Sequence, residues 1–171
     1  MRSPRHMLFA IVLSLVCAGS IGAQAADTVG ARIAVLTWFI DSLLPSHANA
    51  MAALCISVSD SLPIGVRPGG LSAGVDPGPQ TFAALPASPI PVRPGSACAI
   101  SRTSPMPTVE TATGKPAIAV MVGPPRAANA ERATLSLQMR VNGRYGLGYL
   151  CDVARGGGRW HVTACRRTWI S

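Results

Sequence analysis

A chain of 171 residues has room for one domain around one core and excludes an assembly of several. Its 15 basic and 7 acidic side chains leave a net charge of +8, carried almost wholly by arginine. Five cysteines with no C-x-x-C pair and no Cys/His cluster argue against a structural zinc site.

Residues 1–25 have the layout of a secretory signal peptide. Arg2 and Arg5 precede an apolar run from Met7 to Ala18, and small residues then end in Ala23-Gln24-Ala25, an A-x-A cleavage pattern. The apolar stretch would also suffice for an uncleaved anchor. Gly19, Ser20, Gly22 and Gln24 weaken its second half and favour cleavage. Ser14-Leu15-Val16 before Cys17 is not a lipidation pattern. Cleavage after Ala25 leaves residues 26–171, read as a single α+β domain that is periplasmic or secreted. Cys55, Cys98, Cys151 and Cys165 remain, an even number that suits two disulfides in an oxidising compartment.

Residues 28–44 read as a helix. Asp27 or Thr28 caps it, Val29, Ile33, Leu36, Ile40 and Leu43 share one face, Trp38 and Phe39 widen the apolar surface, and Pro45 ends it. Leu54, Ile56 and Val58 alternate with Cys55, Ser57 and Ser59 as a strand. Residues 60–107 form a Pro/Gly-rich loop whose prolines forbid long regular elements. A short helix is expected near Gln80–Leu85, with Asp76-Pro77 at its start, and Ile90-Pro91-Val92 is extended. Cys98 at the end of this segment can tie it to the strand at Cys55, so the loop is expected to wrap the domain rather than act as a linker.

Residues 117–122 form a short apolar strand. In the next strand Ala133, Leu135, Leu137, Met139 and Val141 alternate with polar residues. In the one after, Tyr145, Leu147, Tyr149, Cys151 and Val153 share a face, and in the last, Trp160, Val162 and Ala164 do. A two-residue turn at Asn142-Gly143 would set the apolar face of one strand on the polar face of the other. A three-residue connection, Val141-Asn142-Gly143 with Gly143 left-handed, pairs Leu137 with Leu147 and Leu135 with Tyr149. A two-residue turn at Gly157-Gly158 pairs Val153 with Val162. One extra residue near Ala164, a β-bulge, then brings Cys165 opposite Cys151 and turns Trp169 toward the core. The expected disulfides are Cys151–Cys165 and, by elimination, Cys55–Cys98.

The chemistry-bearing residues are few. His6 leaves with the signal, His47 lies in a turn, and His161 shares an outward face with Asp152. An Asp–His pair can orient an imidazole for base catalysis, so His161 with Asp152 or His47 is the candidate catalytic set. An exposed cross-strand polar pair is the plainer reading. No G-x-S-x-G, H-E-x-x-H or P-loop pattern occurs, and no helix follows the triple glycine, so no cofactor or metal is implied. Tyr145, Tyr149, Trp160 and Trp169 either line a pocket between the sheet and the first helix or form ordinary core. Charge is uneven: residues 26–125 are neutral, while residues 126–171 carry eight arginines against Glu131 and Asp152. That end could face an anionic envelope polymer or be a solvated surface.

The order of these elements resembles the NTF2-like, cystatin-like α+β cone, and Gly158-Arg159-Trp160-His161-Val162 is similar to the G-x-W-x-V closing strand common there. The chain also resembles small exported bacterial proteins of unassigned activity. The resemblance implies a helix packed on a curved antiparallel meander. The function expected is a non-catalytic exported domain that binds a small ligand or an envelope partner at its apolar concave face, through Tyr145, Tyr149 and Trp160. The alternatives are an enzyme of this class using His161 and Asp152, or an arginine-rich surface on an anionic polymer. Nucleic acid is not expected as a partner, nor is a membrane after signal cleavage.

Overall fold

Helix α1 (28–42) opens the part of the chain that the computed structural model describes, which is residues 28–61, 74–100 and 106–170. The signal segment lies outside those residues, as do parts of the Pro/Gly-rich loop. The apolar residues of α1 recur every three or four positions and so give one buried stripe. That stripe runs through Ala31, Val35, Leu36, Phe39 and Ile40. It is rotated from the expected one: Val29, Ile33 and Leu43 are only half-buried, whereas Phe39 is fully buried. The helix has apolar residues on more than one flank, so periodicity leaves its final rotation to the fit against the sheet. Pro45 does not end the helical run. The offset falls at Leu43, and Pro45 sits in the first turn of a short helix, α2 (Leu44–His47), where its missing N–H leaves no bond unmade.

Among the described residues nine strands follow: β1 (Ala53–Val58), β2 (Val92–Pro94), β3 (Cys98–Ala99), β4 (Val109–Glu110), β5 (Ala117–Val122), β6 (Arg126–Asn129), β7 (Arg132–Arg140), β8 (Gly146–Gly156) and β9 (Arg159–Ile170). The main sheet runs β2-β1-β5-β7-β8-β9, with β6 beside β7, and β3 pairs with β4 separately. The expected antiparallel meander accounts for β5, β7, β8 and β9. Beyond it β1 runs parallel to both β5 and β2, so the sheet is mixed though mostly antiparallel. The fold is α+β, with an N-terminal helix and two disulfides.

Helix α1 covers one face of this sheet. Leu54, Ile56, Ile118, Val120, Leu135 and Leu137 meet its stripe there. Burying each such side chain contributes roughly 1.5–3 kcal/mol. All six residues of β1 are buried because the strand has neighbours on both edges and cover on both faces. The second cover is the Pro/Gly-rich segment, whose described part wraps the domain as expected. Val75 bridges Val58, β2 lies along β1, and Cys55 is bonded to Cys98. The short helix α3 spans Pro79–Ala83. Asp76 does not cap it: Gly78 holds the cap position, and the Asp76 carboxylate accepts bonds from Ser96 N (2.8 Å) and Ser96 Oγ (2.6 Å). Arg32 ties α1 to this side by donating to Ser59 O (3.0 Å), Gly123 O (3.3 Å) and Asp60 Oδ1 (2.7 Å).

The two long hairpins set the registers. Between β7 and β8 the parity is as expected but the pairing is two residues farther along: Leu137 faces Tyr149, Leu135 faces Cys151, and Met139 faces Leu147. The connection is the five residues 141–145, held by Asn142, whose Oδ1 accepts from Arg144 N (2.8 Å) and Tyr145 N (2.5 Å). Gly143 is not left-handed; its N–H donates to Met106 O (3.1 Å). An Asx-type turn has replaced the glycine bulge. Between β8 and β9 the turn is Gly157-Gly158, both at positive φ, and Val153 pairs with Val162. One register shift follows at Thr163 and sets Cys151 opposite Cys165, which are disulfide-bonded. A second shift at Thr168 puts Trp169 opposite Gly148.

Candidate functional site

The two shifts in β9 decide which side chains meet. Strand alternation places Trp160, Val162, Cys165 and Arg167 on the helix side of the sheet. The bulge at Thr168 reverses the alternation, so Trp169 lies on the far side and not in the core as expected. On that far face β8 presents Gly146 and Gly148, which leave a strip without side chains. The Trp169 indole lies along it. A Cβ on Gly148 would collide with Trp169 Nε1 and Cε2, and one on Gly146 would come within 3.1 Å of Cζ3 and Cη2.

One row across five strands then runs Ser57, Met121, Gln138, Gly148, Trp169, and the next holds Cys55, Ala119, Arg140 and Gly146. Between Trp169 and the wrapped segment lies a small recess open to solvent, lined among the described residues by Ser57, Ile100, Ala119, Met121, Gln138, Arg140 and Trp169, with Val120 and Met139 below. The Cys55–Cys98 disulfide fixes the start of β3 beside it, two residues from Ile100.

Besides the Ser57 hydroxyl, two polar groups stand in this mostly apolar lining. Gln138 is 8% exposed, and its Oε1 is buried without a hydrogen-bond partner among the described residues. Such a group costs on the order of 1–3 kcal/mol until a donor reaches it. Arg140 is 9% exposed, and burial pulls its guanidinium below the ordinary arginine value. The group stays charged, because arginine does not lose its proton in proteins. A buried acceptor beside an indole suits a small polar molecule that can donate a hydrogen bond.

The residues singled out by sequence lie elsewhere. Tyr149 and Trp160 are on the helix side, both half-buried. Tyr149 meets Trp38 edge-on with ring centres 5.5 Å apart, and Trp160 lies against Gly30 of α1. Burial raises the Tyr149 phenol above its ordinary value, opposed by Arg167 and aided by Tyr145. Tyr145 is exposed in the β7–β8 connection, 6.1 Å from the His47 ring. Asp152 and His161 share the far face but do not join. The Asp152 Oδ1 accepts from Thr134 Oγ1 (2.8 Å), and the His161 ring folds over Gly156 toward the hairpin tip. Among the described residues no hydrogen bond links the two, and no group of three or more His, Cys, Asp or Glu is placed to hold a metal. The C-terminal arginines are divided between faces: Arg132, Arg159 and Arg166 are exposed on the far side, Arg167 faces the helix side, and Arg140 is buried.

Gln138, Arg140 and the two glycines were absent from the sequence-based candidates. Their signal was present: glycines at i and i+2 in a strand, and a glutamine and an arginine at i and i+2 in the neighbouring one. Compared with known proteins, the chain matches no family model, no curated protein and no solved structure. Among the described residues no helix is long and apolar enough to cross a membrane, and the two disulfides suit an oxidising environment outside the cytoplasm.

Proposed function

We propose that this chain is an exported, disulfide-held binding protein that takes a small ligand in the recess between Trp169 and the wrapped segment. The observation that carries this is the buried Oε1 of Gln138, without a hydrogen-bond partner among the described residues, within a mostly apolar recess. Folding tolerates such an atom when a ligand satisfies it. The signal-peptide layout of residues 1–25 supports export, and the two disulfides agree with it. The likeness to an NTF2-like cone rests on element order and the G-x-W-x-V strand. A cone of that kind would bind between helix and sheet, where Trp38 and Tyr149 meet edge-on; the reading here takes the opposite face because Gln138 stands in a recess there. Binding is preferred to turnover because Asp152 is engaged by Thr134 and His161 points away from it.

The test has two parts. N-terminal sequencing of the exported protein should begin at Ala26; an intact Met1 in a membrane fraction overturns export with cleavage. Tryptophan fluorescence of the oxidised protein should respond to a panel of small polar molecules, and the response should vanish in Trp169→Phe but persist in Trp160→Phe. A panel without any response overturns the binding reading.

A further inference from the structure

The hairpin-tip end of the far face carries a cluster of cations separate from the recess. Strand pairing sets Arg126 in one row with Thr134, Asp152 and Ala164, and Arg132 in the next with Ala154 and His161. Arg159 lies at the hairpin tip, and Arg166 lies one row nearer Trp169. Directly opposed residues of paired strands share a face, so these four arginines project to the same side. All four are exposed, and none of their side chains has an ion-pair or hydrogen-bond partner among the described residues. The nearest acids are Asp152, engaged by Thr134, and Glu131 in the β6–β7 turn. From strand spacing and rise, the cluster spans roughly 14 Å across the strands and roughly 20 Å along them. Arg126 and Arg132 start about 8 Å apart, about one Debye length at physiological salt, so their fields add. Arg144, Arg155 and Arg167 lie off this patch, in the β7–β8 connection and on the helix side.

The surroundings select among polyanions. Thr134, Ala154 and Ala164 between the arginines are small, and the exposed large hydrophobics among the described residues, Val75, Met106, Tyr145 and Ile170, all lie elsewhere. Nothing on the patch would enter a lipid layer. No Phe, Tyr or Trp stands between the four arginines for nucleic-acid bases to stack on. β9 is an edge strand, but its two bulges break the regular spacing that an added peptide strand would pair with. A flexible chain of carboxylates laid on the face meets none of these obstacles, and each arginine fork can take a carboxylate in two bonds. We propose that this face binds an acidic polysaccharide, held by Arg126 and Arg132 on one side of β8 and by Arg159 and Arg166 on the other. The choice of a polysaccharide as the polyanion rests on the export reading, which N-terminal sequencing tests by itself. The patch does not depend on the recess.

The probe is polygalacturonate, a linear chain with one carboxylate per sugar, titrated calorimetrically into the oxidised protein. It should bind at about 50 mM salt and weaken roughly tenfold or more by about 200 mM. Neutral dextran should not bind. The pairs Arg126→Ala with Arg132→Ala, and Arg159→Ala with Arg166→Ala, should each weaken binding by about fivefold while keeping the near-ultraviolet circular dichroism of the parent. Arg144→Ala with Arg167→Ala removes the same charge away from the patch and should change binding by less than about twofold. Asp152→Asn, between the two pairs, should tighten binding. Absence of binding at low salt, or binding of dextran, overturns the proposal. Equal weakening by the Arg144 and Arg167 pair overturns it as well, since net charge alone would then act, and so does an unchanged affinity in Asp152→Asn. Tighter binding of single-stranded DNA, polyglutamate or phosphatidylglycerol vesicles at equal charge concentration overturns the polysaccharide as the partner. The polymer comparisons use the unmutated protein, so misfolding of a variant does not decide the matter.

Discussion

Replacing Gly148 with alanine should destabilise the protein by roughly 2 kcal/mol, although alanine is ordinarily the better strand residue. The new Cβ would occupy space now held by the five-membered ring of Trp169, so the indole must lift from the strip between Gly146 and Gly148. One face of an indole covers on the order of 100 Å², and exposing it loses about 2–3 kcal/mol at about 25 cal/mol per Å². The smaller backbone entropy of alanine in the unfolded chain returns about 0.5–1 kcal/mol. The assay is urea unfolding of the oxidised protein, run as a double-mutant cycle with Trp169→Ala. Without the indole, Gly148→Ala should be neutral or slightly stabilising, so the two sites should couple by roughly 2 kcal/mol. Equal costs of Gly148→Ala in both backgrounds would refute the placement of Trp169 on this strip, and with it the wall of the recess.

Other perturbations separate the supports of the fold. Arg32→Ala removes a buried donor from Ser59 O and Gly123 O and should cost about 2–3 kcal/mol in the same unfolding assay. Asp60→Ala removes only the outer partner, whose side chain is 87% exposed, and should cost under about 1 kcal/mol. A larger loss for Asp60→Ala would reverse that assignment. Replacing Cys55 and Cys98 with serine opens a loop of 43 residues, worth about 4 kcal/mol in the chain-entropy model, against about 3 kcal/mol for the 14-residue loop of Cys151 and Cys165. The reverse order in paired unfolding curves would show that the hairpin disulfide carries more than loop entropy. The bonds from Ser96 hold the Asp76 carboxyl below its ordinary value, so its contribution is complete above the unfolded pKa and is lost as pH falls through the folded one. Asp76→Asn should therefore flatten the acid limb of the stability–pH curve below about pH 4. An unchanged acid limb would show that the Asp76–Ser96 contact adds nothing to stability.

Alternation and turn residues made most of the strands legible, and the parity of both hairpins with them. Val153 opposite Val162 and Cys151 opposite Cys165 follow from keeping apolar faces together, and that constraint needs no knowledge of distant elements. The β7–β8 pairing was two residues short because Asn142 can build its turn in more than one way. Parity forbids an odd shift but allows an even one, and the choice falls to the Asn142 side chain bonding Arg144 N and Tyr145 N. The parallel pairs of β1 were not legible for a different reason. They join residues through a long Pro/Gly-rich connection, and nothing local in Leu54 or Ile56 specifies whether a neighbour runs with it or against it. The rotation of α1 was hidden because Trp38 and Phe39 make more than one flank apolar.

The misplacement of Trp169 is the most instructive of these differences, because it arises from a single residue of the chain. With one bulge at Thr163, strict alternation carries 165, 167 and 169 to the helix side, where Tyr149 and Leu147 already fill the space against α1. A third large ring there would overpack a core that Trp38 closes from above. On the other side β8 presents glycine at 146 and 148, and an uncovered glycine strip in a strand exposes backbone and packs poorly. A second bulge at Thr168 resolves both conditions at once by taking Trp169 off the helix side, where the smaller and largely exposed Ile170 then stands opposite Leu147, and by laying the indole on the glycines. The two glycines and the tryptophan thus form one unit that neither strand encodes alone. The same exchange draws Trp169 across toward Gln138 and Arg140, so the feature that satisfies the sheet also creates the wall of the recess. Substitutions that restore strict alternation in β9, such as deletion of Thr168, should therefore affect ligand binding and core packing together, whereas changes at Tyr149 should affect packing alone.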